Sequence, residues 1–223
     1  MTTASKRKLI DQILNDPEAP LIVDELSDII EKERKARVEF YNSMEIEELK
    51  MEFINGEVII QSPVKKVHNV VSTNLILILV PFVDAHELGF VGNENIMIRL
   101  TRNDYEPDIC FFRQEIAKDF SVDQSLFPAP DLAVEICSKK TEHRDRGIKF
   151  QDYAKHGIQE YWIIDPVSAV IEQYLLQGNK YELATKSGSG KITSPTIKGL
   201  TLDIEAIFDL KLAKKEMLRL LKE

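Results

Sequence analysis

Asp131-Leu132-Ala133-Val134-Glu135-Ile136-Cys137 is a short apolar run with one carboxylate in its interior. Its length, and Pro128-Ala129-Pro130 in front of it, mark a buried strand. A carboxylate in such a run is costly to desolvate unless it binds a metal, pairs with a cation or faces a wet cleft. Glu135 can therefore be a metal ligand, the partner of a core Lys or Arg, or an outward residue on an edge strand.

Downstream, residues 141–156 have a helical pattern closed by His156-Gly157, with glycine just past the last turn. Asp145, Lys149 and Tyr153 recur at four-residue spacing and share one face. Periodicity alone makes Asp145 and Lys149 a surface ion pair worth about a few tenths of a kcal/mol. Glu160-Tyr161-Trp162-Ile163-Ile164-Asp165 is a second buried strand, stopped by Pro166, with Tyr161 and Trp162 expected in the core. Residues 170–176 and 180–185 pattern as a hairpin. Beyond the flexible Ser187-Gly188-Ser189-Gly190 connector come a last strand and a helix over about 211–222.

Upstream, Asn95–Leu100 and Tyr105–Arg113 pattern as two strands, the second with Asp108 just before Ile109-Cys110-Phe111-Phe112. Two carboxylates on neighbouring strands, ending near one another, would suit a hard divalent cation held by oxygen. Farther back, Asn55-Gly56 between two β-rich runs predicts a type I′ hairpin. That turn pairs Ile54 with Glu57 and Glu52 with Ile59. Glu52 and Glu57 then share one face, with Met51, Phe53, Val58 and Ile60 on the other. Ser62-Pro63 predicts a capped helix over about 64–80, with His68 one turn in. Two helices, about 6–14 and 22–40, open the chain.

A chain of 223 residues, 43% hydrophobic and 30% charged, can fold as one domain with extensions. No apolar run approaches the roughly 20 residues of a membrane span, and no hydrophobic stretch follows the basic N-terminus. Cys110 and Cys137 lie in apolar runs and are expected as buried, reduced thiols. A cytoplasmic protein without a membrane partner is the expectation. The net charge of −8 argues against a nucleic-acid partner, but residues 139–155 carry 6 basic and 3 acidic side chains. A local basic face can coexist with an acidic chain. No Cys/His pair has zinc-finger spacing, and the 187–191 segment lacks the context of a phosphate loop.

Taken in order, residues 52–63 (EFINGEVIIQSP), His68, 106–109 (EPDI), 128–138 (PAPDLAVEICS) and 145–166 (DRGIKFQDYAKHGIQEYWIIDP) resemble the bacterial putative restriction endonuclease family of the PD-(D/E)XK nuclease superfamily. The resemblance implies an α/β, restriction-endonuclease-like core, α-β-β-β-α-β, with a mixed sheet flanked by helices. It implies a domain over 45–209, a helical extension over 1–44 and a C-terminal helix over 210–223. It makes Asp108 and Glu135 ligands of Mg²⁺ or Mn²⁺, with the main-chain carbonyl of Ile136 as a further ligand. The lysine expected two residues after the acid is Cys137 here, and the resemblance points instead to Lys149 on the following helix. Glu57 and His68 are expected to support the site, and Glu52 and Asp145 to orient their neighbours. Arg144, Arg146 and Lys149 are expected to present a basic helix face to DNA. The implied activity is Mg²⁺-dependent endonucleolytic hydrolysis of DNA by a homodimer. The alternative is a catalytically silent module of the same fold that binds nucleic acid or a protein.

Overall fold

In the computed structural model, which describes residues 3–44 and 50–222, the run at 132–136 is a strand buried on both faces. In chain order, α1 (Thr3–Leu14) and α2 (Ala19–Met44) precede the hairpin β1 (Met51–Ile54) and β2 (Glu57–Ile60). Next come α3 (Lys66–Ala85), β3 (Gly89–Asn93), β4 (Met97–Arg99), β5 (Asp104–Tyr105), β6 (Ile109–Arg113) and the short α4 (Gln114–Ala117). β7 (Leu126–Phe127) and β8 (Leu132–Ile136) lead into α5 (Glu142–Arg144), a π-helical turn (Asp145–Lys149) and α6 (Phe150–Lys155). The chain ends with β9 (Glu160–Asp165), β10 (Val170–Gln177), β11 (Lys180–Ser187), β12 (Lys191–Thr193), β13 (Thr201–Asp203), α7 (Glu205–Phe208) and α8 (Leu210–Leu220). The expected boundary between residues 44 and 45 adjoins residues outside those described.

A six-stranded mixed sheet, ordered β11-β10-β9-β8-β6-β3, forms the centre. β8 and β9 are parallel, and the helical stretch 142–155 is their crossover. Period-2 alternation divides its side chains between two cores. Ile109, Phe111, Leu132, Val134, Ile136, Trp162 and Ile164 pack on α3, α7 and α8. Cys110, Phe112, Ala133, Cys137, Tyr161 and Ile163 pack against α6 and the second sheet, ordered β2-β1-β5-β4-β7. Leu75, Ile78, Leu79 and Trp162 are wholly buried, and each apolar side chain of this kind contributes about 1.5–3 kcal/mol on burial. α3 is long and apolar enough to cross a bilayer by length and composition, but half of it is buried here. Its Asn74 donates to the Ile207 carbonyl.

The Asn55-Gly56 turn has φ of 51° and 88°, and β1 and β2 pair in the expected register. α2 docks on this hairpin by Phe40 against Phe53, and by Arg37 and Tyr41 on the buried Asp104. The front of α2 and all of α1 leave Leu14, Leu21 and Leu26 exposed.

Three expectations need correction. The helix expected over 64–80 begins at Lys66 and runs through Pro81 to Ala85. Gln61 still bonds the Lys50 carbonyl, so the chain is leaving the hairpin at Ser62-Pro63 and cannot yet turn. The strand expected over 105–113 is two strands in different sheets. Pro107 has no amide to continue a ladder, and Glu106-Pro107-Asp108 crosses between the sheets. β3 was not expected as a strand. Its Gly89 has φ +144°, and a Cβ there would lie 2.0 Å from the Phe112 carbonyl, so glycine permits the close pairing with β6.

Candidate active site

β6 and β8 pair Ile109 with Val134 and Cys110 with Ala133, so one further step of the register sets Asp108 opposite Glu135. Alternation sends both carboxylates out on the side of Cys110 and Ala133, towards the second sheet and the crossover helix. Asp108 Oδ2 accepts from the Ile136 amide at 2.7 Å and meets His68 Nε2 at 3.2 Å. Asp108 Oδ1 accepts from Lys50 Nζ at 2.6 Å. Burial alone would push this carboxyl up. The His68 hydrogen bond and the Lys50 charge outweigh it and hold Asp108 well below the usual carboxylate range.

Beside this pair, the Lys149 ammonium sits among several acids that bond it or lie close. Its Nζ lies 2.6 Å from Glu52 Oε1, 2.9 Å from Glu135 Oε1 and 3.8 Å from Asp145 Oδ1. Tyr153 donates to the same Glu135 oxygen at 2.9 Å. Lys149 is 2% exposed. Burial would lower its pKa, but the charges of Glu135, Glu52 and Asp145 raise it well above the ordinary value and keep it protonated. One positive charge against three carboxylates leaves an excess of negative charge in a dry place. Burial, with Asp145, Asp108 and Glu52 nearby, pushes Glu135 upward against Lys149. Glu106 is pushed up to about 7 by burial and by Glu52, against Lys50, the Met51 amide and Lys149. Among the described residues, none donates a hydrogen bond to the buried Glu52 Oε2 or Asp145 Oδ1. Asp145 and Lys149 are the two ends of the π turn, and both are buried.

Asp108, Glu135, Lys149, Glu52, Asp145 and His68 are thus brought to one place. Ile136 joins them through its amide. Glu57 shares the Glu52 face of the hairpin, as the register requires, but is exposed on the edge strand β2. Cys137 is buried, and burial pushes its thiol up, so it is held protonated. Ser138 and Thr141 exchange hydrogen bonds in the turn before α5. Tyr161 and Trp162 are wholly buried, as expected. Sequence reasoning missed Lys50 and Glu106. Lys50 was reachable, because period-2 alternation through β1 puts it on the face of Glu52.

The expected basic helix face does not form as one surface. Lys149 points inward, and Arg146 is bound to Glu172 at 2.6 Å and Glu142 at 2.9 Å. Burial would raise the Glu172 carboxyl, but hydrogen bonds from Arg146, Tyr174 and Lys186 hold it at about 2. A depressed carboxyl stabilises the fold above its unfolded pKa and loses that contribution as pH falls through the folded value. Glu172→Gln should therefore cost about 2 kcal/mol at pH 7 and progressively less from about pH 4.5 downward. Denaturant midpoints at neutral pH and near pH 3 test this, and an equal loss at both would refute it.

Among the described residues, no group of three or more His, Cys, Asp or Glu side chains forms a metal cage. The donor set still fits Mg²⁺, which keeps several waters and binds through one or two carboxylates. Asp108 and Glu135 oppose one another, the surrounding charge is in deficit of cations, and buried carboxylate oxygens beside them lack donors.

A family profile described as "Putative restriction endonuclease" (Uma2) matches residues 38–205. The fold is similar to the crystal structure of a putative nuclease belonging to DUF820 from Anabaena variabilis, with a TM-score of 0.62 and 20% identity. That likeness covers 71% of this chain and 89% of the other, and at this identity it speaks for the fold alone. An uncharacterized protein of Synechocystis sp., slr1290, is 29% identical over 131 residues, 56% of this chain. The chain spans 65% of that relative's length.

Proposed function

The chain belongs to the Uma2 family of putative restriction endonucleases, and from that premise we propose a Mg²⁺-dependent endonuclease that hydrolyses phosphodiester bonds in DNA. The observation that carries this reading is the opposition of Asp108 and Glu135 inside a carboxylate cluster short of positive charge. A Mg²⁺ or Mn²⁺ held by this pair would supply a water of lowered pKa and offset charge on the scissile phosphate.

The chain's own residues do the positioning. The Ile136 amide and His68 fix Asp108 by one oxygen. Lys149 and Tyr153 both bond Glu135 Oε1 and so set the direction of its other oxygen. The Lys149 ammonium, fixed between Glu52 and Glu135, orients and polarises the attacking water. Arg144 and the exposed Lys139 and Lys140 are the candidate contacts for the phosphate backbone, since Arg146 is committed to Glu172.

A second reading, a silent module of the same fold, draws on one observation. Both lysines of the site already have carboxylate partners, and Lys149 has almost no exposure. Incubating supercoiled plasmid with the protein in Mg²⁺, in Mn²⁺ and in chelator separates the two. Nicking or linearisation that stops on chelation is the expected result. Duplex binding without cleavage in either metal would replace the nuclease reading with the silent one.

A further inference from the structure

We propose that Lys50 is the resident counter-ion of Asp108, a positioning residue that neutralises this acid without a divalent cation and weakens the binding of one. The inference rests on the two-carboxylate metal reading above.

Asp108 has three donors, and only one of them can leave. The Ile136 amide belongs to the backbone of β8, and His68 is fixed in the first turn of α3. Both serve Oδ2. Among the described residues Oδ1 is held by Lys50 alone, at 2.6 Å, from a long side chain just before β1. The Lys50 side chain is 17% exposed against 7% for Asp108, so its ammonium has a route to water. Lys149 has no such route, being closed in by Glu52, Glu135 and Asp145. Lys50 also lies in the field of Glu135, the other acid of the proposed metal pair. Two cations on the same oxygen repel strongly at such distances. A divalent ion binding through Asp108 Oδ1 and Lys50 on that oxygen therefore exclude one another.

The consequence is an affinity set by competition. Without metal, Lys50 spares the protein an unpaired buried carboxylate. With metal, displacing Lys50 subtracts from the binding free energy. A residue whose loss tightens metal binding is the opposite of what a ligand, or a purely structural contact, would give.

The test is calorimetric titration of the whole chain with Mn²⁺, together with thermal melting with and without Mn²⁺, on wild type, Lys50→Met, Lys50→Gln and Asp108→Asn. Lys50→Gln keeps a hydrogen-bond donor for Asp108 without the charge, so it carries the measurement if Lys50→Met does not fold. Both Lys50 variants should bind Mn²⁺ about tenfold more tightly or better than wild type. They should melt lower without Mn²⁺ and gain more on adding it. Unchanged or weaker Mn²⁺ binding by the folded Lys50 variants, with binding lost in Asp108→Asn, overturns the role of Lys50 and leaves the metal site standing. Wild-type Mn²⁺ binding that survives Asp108→Asn, or no binding by any folded variant, overturns both.

Discussion

Asp108→Asn is expected to lower Mg²⁺-dependent DNA cleavage by on the order of a thousandfold while leaving the protein folded. The two halves of that expectation have different causes. Stability survives because asparagine is nearly isosteric and its carbonyl can still accept from the Ile136 amide at the position of Oδ2. Lys50 loses its partner, but it is partly exposed and can turn to water, so the stability cost is about 1 kcal/mol. Chemistry does not survive, because a neutral amide binds a hard divalent cation far less well than a carboxylate. In the proposed reaction a metal-bound water and a neutralised phosphate would each account for several kcal/mol of barrier. Cleavage rates under single turnover, read beside circular dichroism and a melting curve, make the check. Cleavage at the parent rate by folded Asp108→Asn would remove Asp108 from the reaction.

The acid pair was legible because its context is simple. A carboxylate inside or beside a short apolar run announces a cost that something must meet; Glu135 lies inside such a run and Asp108 just before one. The hairpin was legible for an equally local reason, since Asn55-Gly56 dictates both turn and register. What depended on distant contacts was harder to read. Glu57 lies on the same face as Glu52, yet β2 is the outer strand of its sheet and Glu57 meets solvent, whereas β1 is covered and Glu52 is wholly buried. Helical spacing alone made Asp145 and Lys149 a surface pair. No local signal reveals that the helix widens into a π turn there, or that Glu52 arrives opposite it from another sheet. Arg146 reads as a free cation until β10 supplies Glu172. β3 was hidden by the glycines that let it pair closely with β6. The resemblance to a nuclease family singled out Lys149 where periodicity gave a surface pair, and the fold sets its ammonium where three carboxylates meet.

That placement gives the largest expected effect on stability. Lys149→Met keeps the length and apolar stem of the side chain but removes the ammonium from Glu52, Glu135 and Asp145. Breaking a buried ion pair from one side costs about 3–5 kcal/mol, because the remaining charges stay desolvated and unpaired. For a chain of this size that is a fall in melting temperature of about 10 °C. The carboxylates will take up protons to relieve the repulsion, so the loss should be smaller at acid pH than at neutral pH. Charge and shape are then separable. Adding Glu52→Gln and Glu135→Gln to Lys149→Met removes the acids that the lysine neutralised, and most of the lost stability should return. Cleavage should not return in the triple variant, since one of the proposed metal acids and the ammonium proposed to polarise the water are both gone. If Lys149→Met melts like the parent, the lysine is not what holds the cluster. If the triple variant stays as unstable as the single one, the cost lies in packing around the π turn rather than in charge. Recovery of the fold without recovery of cleavage would show that the charge balance of the cluster sets its stability, and that the stability can be restored without the groups proposed for the chemistry.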